Sequence, residues 1–293
     1  MKKLILVLVL FMLAAAAPGR GLERIRDFGD DPGRLRMFIH TPANVDSTKQ
    51  YPLVCILHGS MLSAYSMKHC GGWNTLADSR GVYLLYPEQR FTNNIVRAFS
   101  VHFNRNGEKL RAETRSIRNM IHYMLEHYPL DRQEVYITGL SAGASMSHVM
   151  LYAFPDLFRA AALIAAPATM PLDTVSLSSP LPRVAVIQGE RDRMVPPENA
   201  DAIMRRWRKA YGFSREHVDT LRDYLGNTDL TAYRYEKDGR ISLIRIDADR
   251  TGHQMLIDPG PSPQEGGRRC IYSKDIDFYL PGWIMDFFGL TGS

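Results

Sequence analysis

The sequence predicts an α/β protein with a mostly parallel central sheet and helices on both of its faces. Short runs of apolar and β-branched residues alternate with longer helical patterns from about residue 50 onward. Several of these runs are hydrophobic at consecutive positions, which is typical of strands buried on both faces of a parallel sheet. Strand and helix alternate along the chain, as in doubly wound sheets. Since no repeat or low-complexity linker interrupts residues 17–293, we expect a single domain there.

The elements are predicted in the following order. A strand at 35–39 begins an antiparallel hairpin at the sheet edge. Apolar runs predict the remaining strands at 53–57, 82–86, 135–138, 161–165, 184–188 and 241–246. Amphipathic or apolar helical spacing predicts helices at 73–79, 109–127, 142–154, 197–211 and 283–288. Asp238-Gly239 is a turn sequence that leads into the last strand.

The first residues have the pattern of an export signal. Lys2 and Lys3 precede an apolar run at 4–13, and four alanines follow it. This pattern predicts a signal peptide over residues 1–16, because cleavage one residue later would leave Pro18 first. We therefore expect a secreted or periplasmic protein without stable membrane insertion after cleavage. An uncleaved membrane anchor is the alternative, although the apolar run is short for a membrane span.

Charge and cysteine content narrow the possible partners. The formal net charge is +5, and the charges are scattered. The absence of a basic stripe with interleaved aromatic residues argues against nucleic acid as a partner. No His-Glu-x-x-His or Cys-x-x-Cys spacing occurs, so we predict no metal site. Cys55 lies in an apolar run and is interpreted as a buried hydrophobic residue, whereas Cys70 and Cys270 could pair in an oxidising compartment.

The sequence Gly139-Leu140-Ser141-Ala142-Gly143 lies between a predicted strand and a predicted helix. A Gly-x-Ser-x-Gly turn in this context is the nucleophile elbow of the α/β-hydrolase fold. The glycines avoid collisions with the neighbouring strand and helix, and the helix N-terminus favours developing negative charge. We therefore predict Ser141 as a nucleophile. Ser145 and Ser147 are weaker candidates, and a glycine-rich turn with a solvated serine is the structural alternative.

A serine nucleophile needs a base, which follows the nucleophile and the acid in this fold. His253 is our choice because it follows the last predicted strand and a short loop. His148 lies on the helix of the nucleophile and cannot reach back over Ser141. His217 lies in a charged segment that we expect to be exposed.

The acid is expected after the strand at 184–188, where Gly189 ends the strand. We predict Asp192, because a short carboxylate suits a tight loop. Glu190 is the competing candidate, and an ion pair with a neighbouring arginine is the structural alternative.

An oxyanion hole needs two backbone donors. We predict the amide of Ala142, which follows the nucleophile, and the amide of Ser60, in the loop after the strand at 53–57. Met61 is the second candidate for the loop donor. His58 is expected to hold the loop rather than to transfer protons.

Several spaced motifs resemble those of the secreted polyhydroxybutyrate depolymerase and feruloyl esterase group of the α/β-hydrolase superfamily. They are Leu57-His58-Gly59, Gly72-Trp73-Asn74-x-Leu76-Ala77-Asp78, Tyr86-Pro87-Glu88-Gln89, the serine turn, Gly189-x-x-Asp192-x-x-Val195-Pro196 and Ile284-x-x-Phe287-Phe288. Their order extends the resemblance from about residue 35 to the final helix. The resemblance implies hydrolysis of carboxylic esters through an acyl-enzyme and without a cofactor.

The chain departs from this group at two places. Ser60 stands where members often have cysteine, a change that a backbone donor tolerates. Members also tend to have a Trp-Pro pair after the catalytic histidine, where this chain has Gln254-Met255-Leu256-Ile257. We interpret 255–257 as an aliphatic wall for substrate; the alternative is that these residues pack in the core. With no separate surface-binding segment recognised, we expect small soluble esters to be preferred over crystalline polymer.

The predicted function is therefore that of an exported serine esterase acting on short hydroxyacyl or aryl esters, with a small-molecule or oligomeric substrate. A peptidase or an acyltransferase on the same fold is the first alternative. A noncatalytic binding module is the second, and it is disfavoured because candidates for all three triad residues are present.

Overall fold

The structure is a computed structural model that describes residues 21–101, 107–168, 180–214 and 217–291. The predicted signal peptide at 1–16 lies outside the described residues. Within them, none of the helices combines the length and the apolar character needed to cross a membrane.

Ten strands form the main sheet within the described residues. In chain order they are β1 (Glu23–Ile25), β2 (Arg36–His40), β3 (Tyr51–Leu57), β4 (Tyr83–Glu88), β5 (Leu130–Leu140), β6 (Ala160–Ile164), β7 (Arg183–Gly189), β8 (Asp219–Arg222), β9 (Leu230–Lys237) and β10 (Arg240–Ala248). Two further short strands, β11 (Met255–Ile257) and β12 (Ser273–Asp275), pair separately with each other.

The strand order is β1-β2-β4-β3-β5-β6-β7-β10-β9-β8. The six central strands, in the order β4-β3-β5-β6-β7-β10, are parallel to one another, and the two strands added at each edge pair antiparallel. Asp238 and Gly239 form the two-residue turn between β9 and β10, both with positive φ as such hairpins require. The mostly parallel central sheet predicted from the sequence is confirmed.

Helices cover both faces of the sheet. They are α1 (Ala64–Gly71), α2 (Trp73–Arg80), α3 (Glu108–His127), α4 (Ala142–Ala153), α5 (Glu198–Tyr211) and α6 (Leu280–Phe288). Residues of α3, α4 and α5 pack in one apolar core, and residues of α1, α2 and α6 pack in the other.

Strand β3 shows why the apolar runs are continuous. Leu53, Cys55 and Leu57 face the first core, whereas Val54 and Ile56 face the second. Because successive side chains of a strand point to opposite faces, both sets must be apolar when both faces are covered. The same layering brings the carboxyl ends of the parallel strands to one edge, where the predicted site residues lie.

Candidate active site

Ser141 lies at a sharp turn between the end of β5 and the start of α4. Its backbone has φ 56° and ψ −120°, a conformation that is costly for a residue with a side chain. The Ser141 amide donates to the carbonyl of Ile164 on β6 (2.9 Å), which fixes the turn against the sheet. A side chain at Gly143 would collide with the carbonyl oxygen of Leu57, and one at Gly139 would meet the backbone of Gly143. Glycine is therefore required at both positions flanking the serine.

Asp192 follows β7 in a loop that satisfies its carboxylate completely. It is 3% exposed, and its Oδ1 accepts the amides of Met194 (2.9 Å) and Val195 (2.8 Å). Its Oδ2 lies 2.7 Å from Nδ1 of His253. A buried carboxylate with three donors is held in one orientation and remains a good acceptor for the imidazole.

His253 is carried by the loop after β10, and backbone contacts join this loop to the loop of Asp192. The amide of Arg191 donates to the carbonyl of Thr251 (2.9 Å), and that of Glu190 donates to the carbonyl of Ala248 (3.0 Å). Since Nδ1 donates its proton to Asp192, Nε2 is left with the lone pair that can accept a proton.

The sheet order brings the three predicted residues to the same edge of the sheet. Ser141 follows β5, Asp192 follows β7 and His253 follows β10, and all three strands are parallel members of the series β5-β6-β7-β10. Asp192 and His253 are in direct hydrogen-bonding contact, and Ser141 lies at the same edge of the sheet.

The competing histidines lie elsewhere. His148 is buried, and its Nε2 accepts the indole N–H of Trp207 (3.1 Å). Burial, together with the charge of Arg206, lowers the pKa of His148 to about 3. His217 is exposed and contacts the hydroxyl of Ser214.

The competing acid and serines also have other environments. Glu190 is exposed on the loop that leads to Asp192. The hydroxyl of Ser145 donates to the carbonyl of Pro167 (2.7 Å), and that of Ser147 donates to the carbonyl of Gly143 (2.9 Å). Both hydroxyls are therefore hydrogen-bonded to backbone carbonyls.

The two candidates for the loop donor differ in their hydrogen bonds. The Met61 amide donates to the carbonyl of Val96 (2.8 Å), so this donor is already used. The Ser60 amide has no hydrogen-bond partner among the described residues. Gly59 lies beside the elbow, since a Cβ placed on it would be 3.4 Å from Cβ of Ser141. Ala142 is the first residue of α4, where amides have no intrahelical partner.

His58 fixes the loop that carries Ser60. Its Nδ1 donates to the carbonyl of Gly59 (2.8 Å), and its Nε2 accepts the amide of Gln89 (3.0 Å). Burial lowers the pKa of His58 to about 4, so the imidazole is neutral and both nitrogens are used by the backbone. His58 therefore holds the loop of Ser60 in place, and neither of its nitrogens is free to transfer a proton.

The interpretation of 255–257 as an aliphatic wall is wrong. Met255, Leu256 and Ile257 form β11 and are almost completely buried in the second core. They pack there because β11 pairs with β12 and is contacted by α6. Exposed apolar side chains occur instead on the loops that carry Ser60 and Asp192, at Met61 and Met194, which are 58% and 64% exposed.

Tyr272 is a neighbour of His253 that the sequence did not indicate. Its ring meets the imidazole edge-on, with centroids 6.2 Å apart, and its carbonyl accepts the amide of Met255 (2.9 Å). Tyr272 is brought there by a segment tethered through the Cys70–Cys270 disulfide, whose Cα atoms are 5.9 Å apart. The nearby Cys270 was the one available sign of this contact.

Within the described residues, one acidic cluster has the spacing of a possible cation site. Oxygen atoms of Asp258, Asp275 and Asp277 lie within 4.8 Å of one another. Burial and the neighbouring carboxylates raise the pKa of Asp258. The cluster contains none of the predicted catalytic residues, and exposed acidic groups of this kind are common without a metal ion.

Comparison with known proteins identifies esterases. Residues 37–170 match the family model described as Esterase PHB depolymerase. The poly(3-hydroxyalkanoate) depolymerase C of Paucimonas lemoignei is 26% identical, over 99% of this chain and 75% of that protein. The feruloyl esterase B of Talaromyces funiculosus is 34% identical, but the match spans 53% of this chain and only 43% of that protein.

A solved structure supports the fold over nearly the whole chain. The acetyl xylan esterase from Aspergillus awamori matches with a TM-score of 0.71 and 20% identity, covering 93% of this chain and 100% of that one. The predicted resemblance is confirmed, as is the prediction that the chain is a carboxylic ester hydrolase.

Proposed function

We propose that this chain, a member of the polyhydroxybutyrate depolymerase and feruloyl esterase group of α/β-hydrolases, is an exported serine esterase with a Ser141–His253–Asp192 triad. The observation that carries the proposal is the buried hydrogen bond between Nδ1 of His253 and Asp192, at the sheet edge where Ser141 caps the N-terminus of α4. No cofactor is needed for this chemistry.

In the acylation step, Oγ of Ser141 attacks the ester carbonyl carbon while Nε2 of His253 takes the hydroxyl proton. Asp192 holds the imidazole in the required tautomer and stabilises the imidazolium that forms. The carbonyl oxygen becomes negatively charged and accepts hydrogen bonds from the amides of Ser60 and Ala142. Collapse of this intermediate breaks the bond to the alcohol, which leaves with the proton from His253.

In the deacylation step, water replaces the alcohol. His253 takes a proton from the water, which attacks the acyl carbon bound to Ser141. The negative oxygen returns to the same two amides, and the acid is released when Ser141 recovers its proton. The positive backbone end of α4 favours both negatively charged intermediates.

For the substrate we propose short hydroxyacyl or aryl esters. The named relatives include a poly(3-hydroxyalkanoate) depolymerase and a feruloyl esterase. These names indicate substrates with a hydroxyacyl group and with an aromatic acyl group, respectively. The exposed side chains of Met61 and Met194 offer apolar contacts next to the loop donor and the acid. Chromogenic acetyl, butyryl, octanoyl and feruloyl esters and a hydroxybutyrate oligomer, compared under one condition, would rank these substrates.

The proposed export rests on the sequence of residues 1–16, which has the basic, apolar and alanine-rich parts of a signal peptide. Expression of the full chain followed by N-terminal sequencing of the exported protein tests it. We expect Ala17 as the first residue, and an intact N-terminus retained in the membrane would contradict the proposal.

The triad is tested by covalent labelling. A fluorophosphonate should modify the wild-type enzyme on the peptide that contains Ser141 and should not modify Ser141→Ala. The same substitution should lower the rate of ester hydrolysis by a factor on the order of 10⁶. Labelling at Ser145 with full activity of Ser141→Ala would overturn the assignment. Hydrolysis of a peptide amide in preference to a nitrophenyl ester would favour the peptidase alternative.

A further inference from the structure

Glu88, the last residue of β4, is a buried carboxylate at the base of the Ser60 loop. Its Oε2 accepts the amide of Ala64, the first residue of α1 (3.0 Å). Its Oε1 is paired with Nη2 of Arg97 (3.0 Å) and with Nη1 of Arg36 (3.2 Å). A charge is retained in such a place only when it is paired and hydrogen-bonded.

Arg97 is held more tightly than a surface arginine. Its side chain is 13% exposed, its Nε donates to the carbonyl of Gln89 (3.3 Å), and its guanidinium lies over the ring of Phe91 (4.7 Å). Its backbone is in the left-handed region, with φ 47°. A strained backbone of this kind persists where the surrounding contacts fix it.

The segment ending at Arg97 is joined directly to the Ser60 loop. The carbonyl of Val96 accepts the amide of Met61 (2.8 Å), and Met61 is itself left-handed, with φ 63°. Three residues later, the Ala64 amide is fixed by Glu88. The peptide of Ser60 therefore precedes a turn that is anchored at two points: Glu88 binds the Ala64 amide directly, and Val96, which binds the Met61 amide, is the chain neighbour of Arg97.

We propose that the ion pair of Glu88 and Arg97 positions the oxyanion hole. By fixing Val96, it commits the Met61 amide to a structural hydrogen bond and leaves the Ser60 amide as the donor for the ester oxygen. Neither side chain touches the reacting atoms in this proposal, so both are positioning residues. The inference rests on the proposed function, because it assigns a task to one step of that reaction.

The test is a kinetic comparison of Arg97→Gln with wild type on p-nitrophenyl acetate. We expect kcat to fall by at least about tenfold, less than the 10²–10³ lost with an oxyanion donor itself, while KM changes less than about twofold. The inhibition constant of phenylboronic acid, which forms a negatively charged tetrahedral adduct with a serine nucleophile, should rise by a similar factor. Glu88→Gln should reproduce both effects.

Arg36→Gln is the matched control, because Arg36 pairs with the same carboxylate oxygen but, among the described residues, makes no hydrogen bond or ion pair with Val96 or Met61. Its kcat should change less than about threefold. Equal losses in Arg36→Gln and Arg97→Gln, or a loss confined to KM, would overturn the proposal. Circular dichroism and thermal unfolding identify a variant that fails to fold, in which case Glu88→Gln decides. Failure of the proposed function would be seen separately, as an active Ser141→Ala variant.

Discussion

At the scale of single residues, Asp192 differs from Glu190 in contacts rather than in chemistry. In Asp192→Asn the side-chain oxygen would stay with the amides of Met194 and Val195, and the NH2 group would face His253, where it cannot accept the Nδ1 proton. The imidazole would then be held in the wrong tautomer, and we expect kcat for a nitrophenyl ester to fall by about 10⁴-fold with the fold intact. Glu190→Gln is the matched control, because that side chain is exposed, and it should retain most activity. Comparable losses in both variants would contradict the assignment.

A second prediction at this scale concerns the base. His253→Ala should prevent formation of the acyl-enzyme, because no group remains to take the proton of Ser141. His217→Ala should leave the burst of nitrophenol in rapid-mixing experiments close to that of wild type, since His217 is exposed. If His217→Ala were the inactive variant, the order assigned to the last strand would be wrong.

At the scale of elements, the sequence predicted those parts of the fold whose patterns are locally complete. Continuous apolar runs located the parallel strands from β3 to β10, and Asp238-Gly239 located the hairpin before β10. The exposed edge strand β8 (Asp219–Arg222) was missed because it has no buried face to impose a pattern. Strands β11 and β12 were missed because each has only three residues, too few to show a pattern, and because their pairing with each other is not visible in the sequence.

The candidate site divides in the same way. Ser141, Asp192 and His253 each follow a strand with a recognisable pattern, so their positions were predictable. The choice between the amides of Ser60 and Met61 was not, because it depends on a hydrogen bond to Val96 across the loop. Tyr272 was unpredictable for a similar reason, since a disulfide brings it to the imidazole.

The disulfide provides a prediction for this scale. Cys70 lies in the last turn of α1 and Cys270 lies two residues before Tyr272, with a separation of 200 residues between the two cysteines. Replacing both by serine should lower the free energy of unfolding by about 2–5 kcal/mol, because the unfolded chain loses a long closed loop. It should also lower kcat, because the tethered segment carries Tyr272 and the carbonyl that accepts the Met255 amide.

Urea unfolding and ester kinetics measure the two effects of the disulfide. A reducing agent serves as the control. It should lower the free energy of unfolding and the kcat of the wild-type enzyme, and it should leave both quantities unchanged in the doubly substituted protein. Equal sensitivity of both proteins to the reductant would show that the effect arises elsewhere.

At the scale of the whole molecule, the apolar core that contains Phe99 and Trp207 packs against two histidines, His58 and His148, that are neutral in the folded state. Burial lowers the pKa of His58 to about 4 and that of His148 to about 3, from 6.5 for an unburied histidine. The loop that carries Ser60 and the helix that follows Ser141 each contain one of these residues. Two elements next to the candidate site therefore contain a histidine whose burial disfavours proton uptake. Because the unfolded chain has no such burial, the stability of the folded protein depends on pH.

The sign of this connection follows from the lowered pKa values. The unfolded chain binds a proton at each histidine below about pH 6.5, whereas the folded protein does not until the pH approaches 4 for His58 and 3 for His148. Their contribution to stability is therefore complete above pH 6.5 and is lost as the pH falls. Each histidine contributes a slope of at most about 1.4 kcal/mol per pH unit. His148→Gln keeps an acceptor for Trp207. Between pH 6 and 4, its free energy of unfolding, measured in urea, should fall less steeply with decreasing pH than that of wild type, by up to about 1.4 kcal/mol per pH unit. Between pH 7.5 and 8.5, the difference in stability between variant and wild type should stay constant, which is the internal control. Parallel pH profiles for the two proteins below pH 6 would show that His148 takes up its proton equally in the folded and unfolded states.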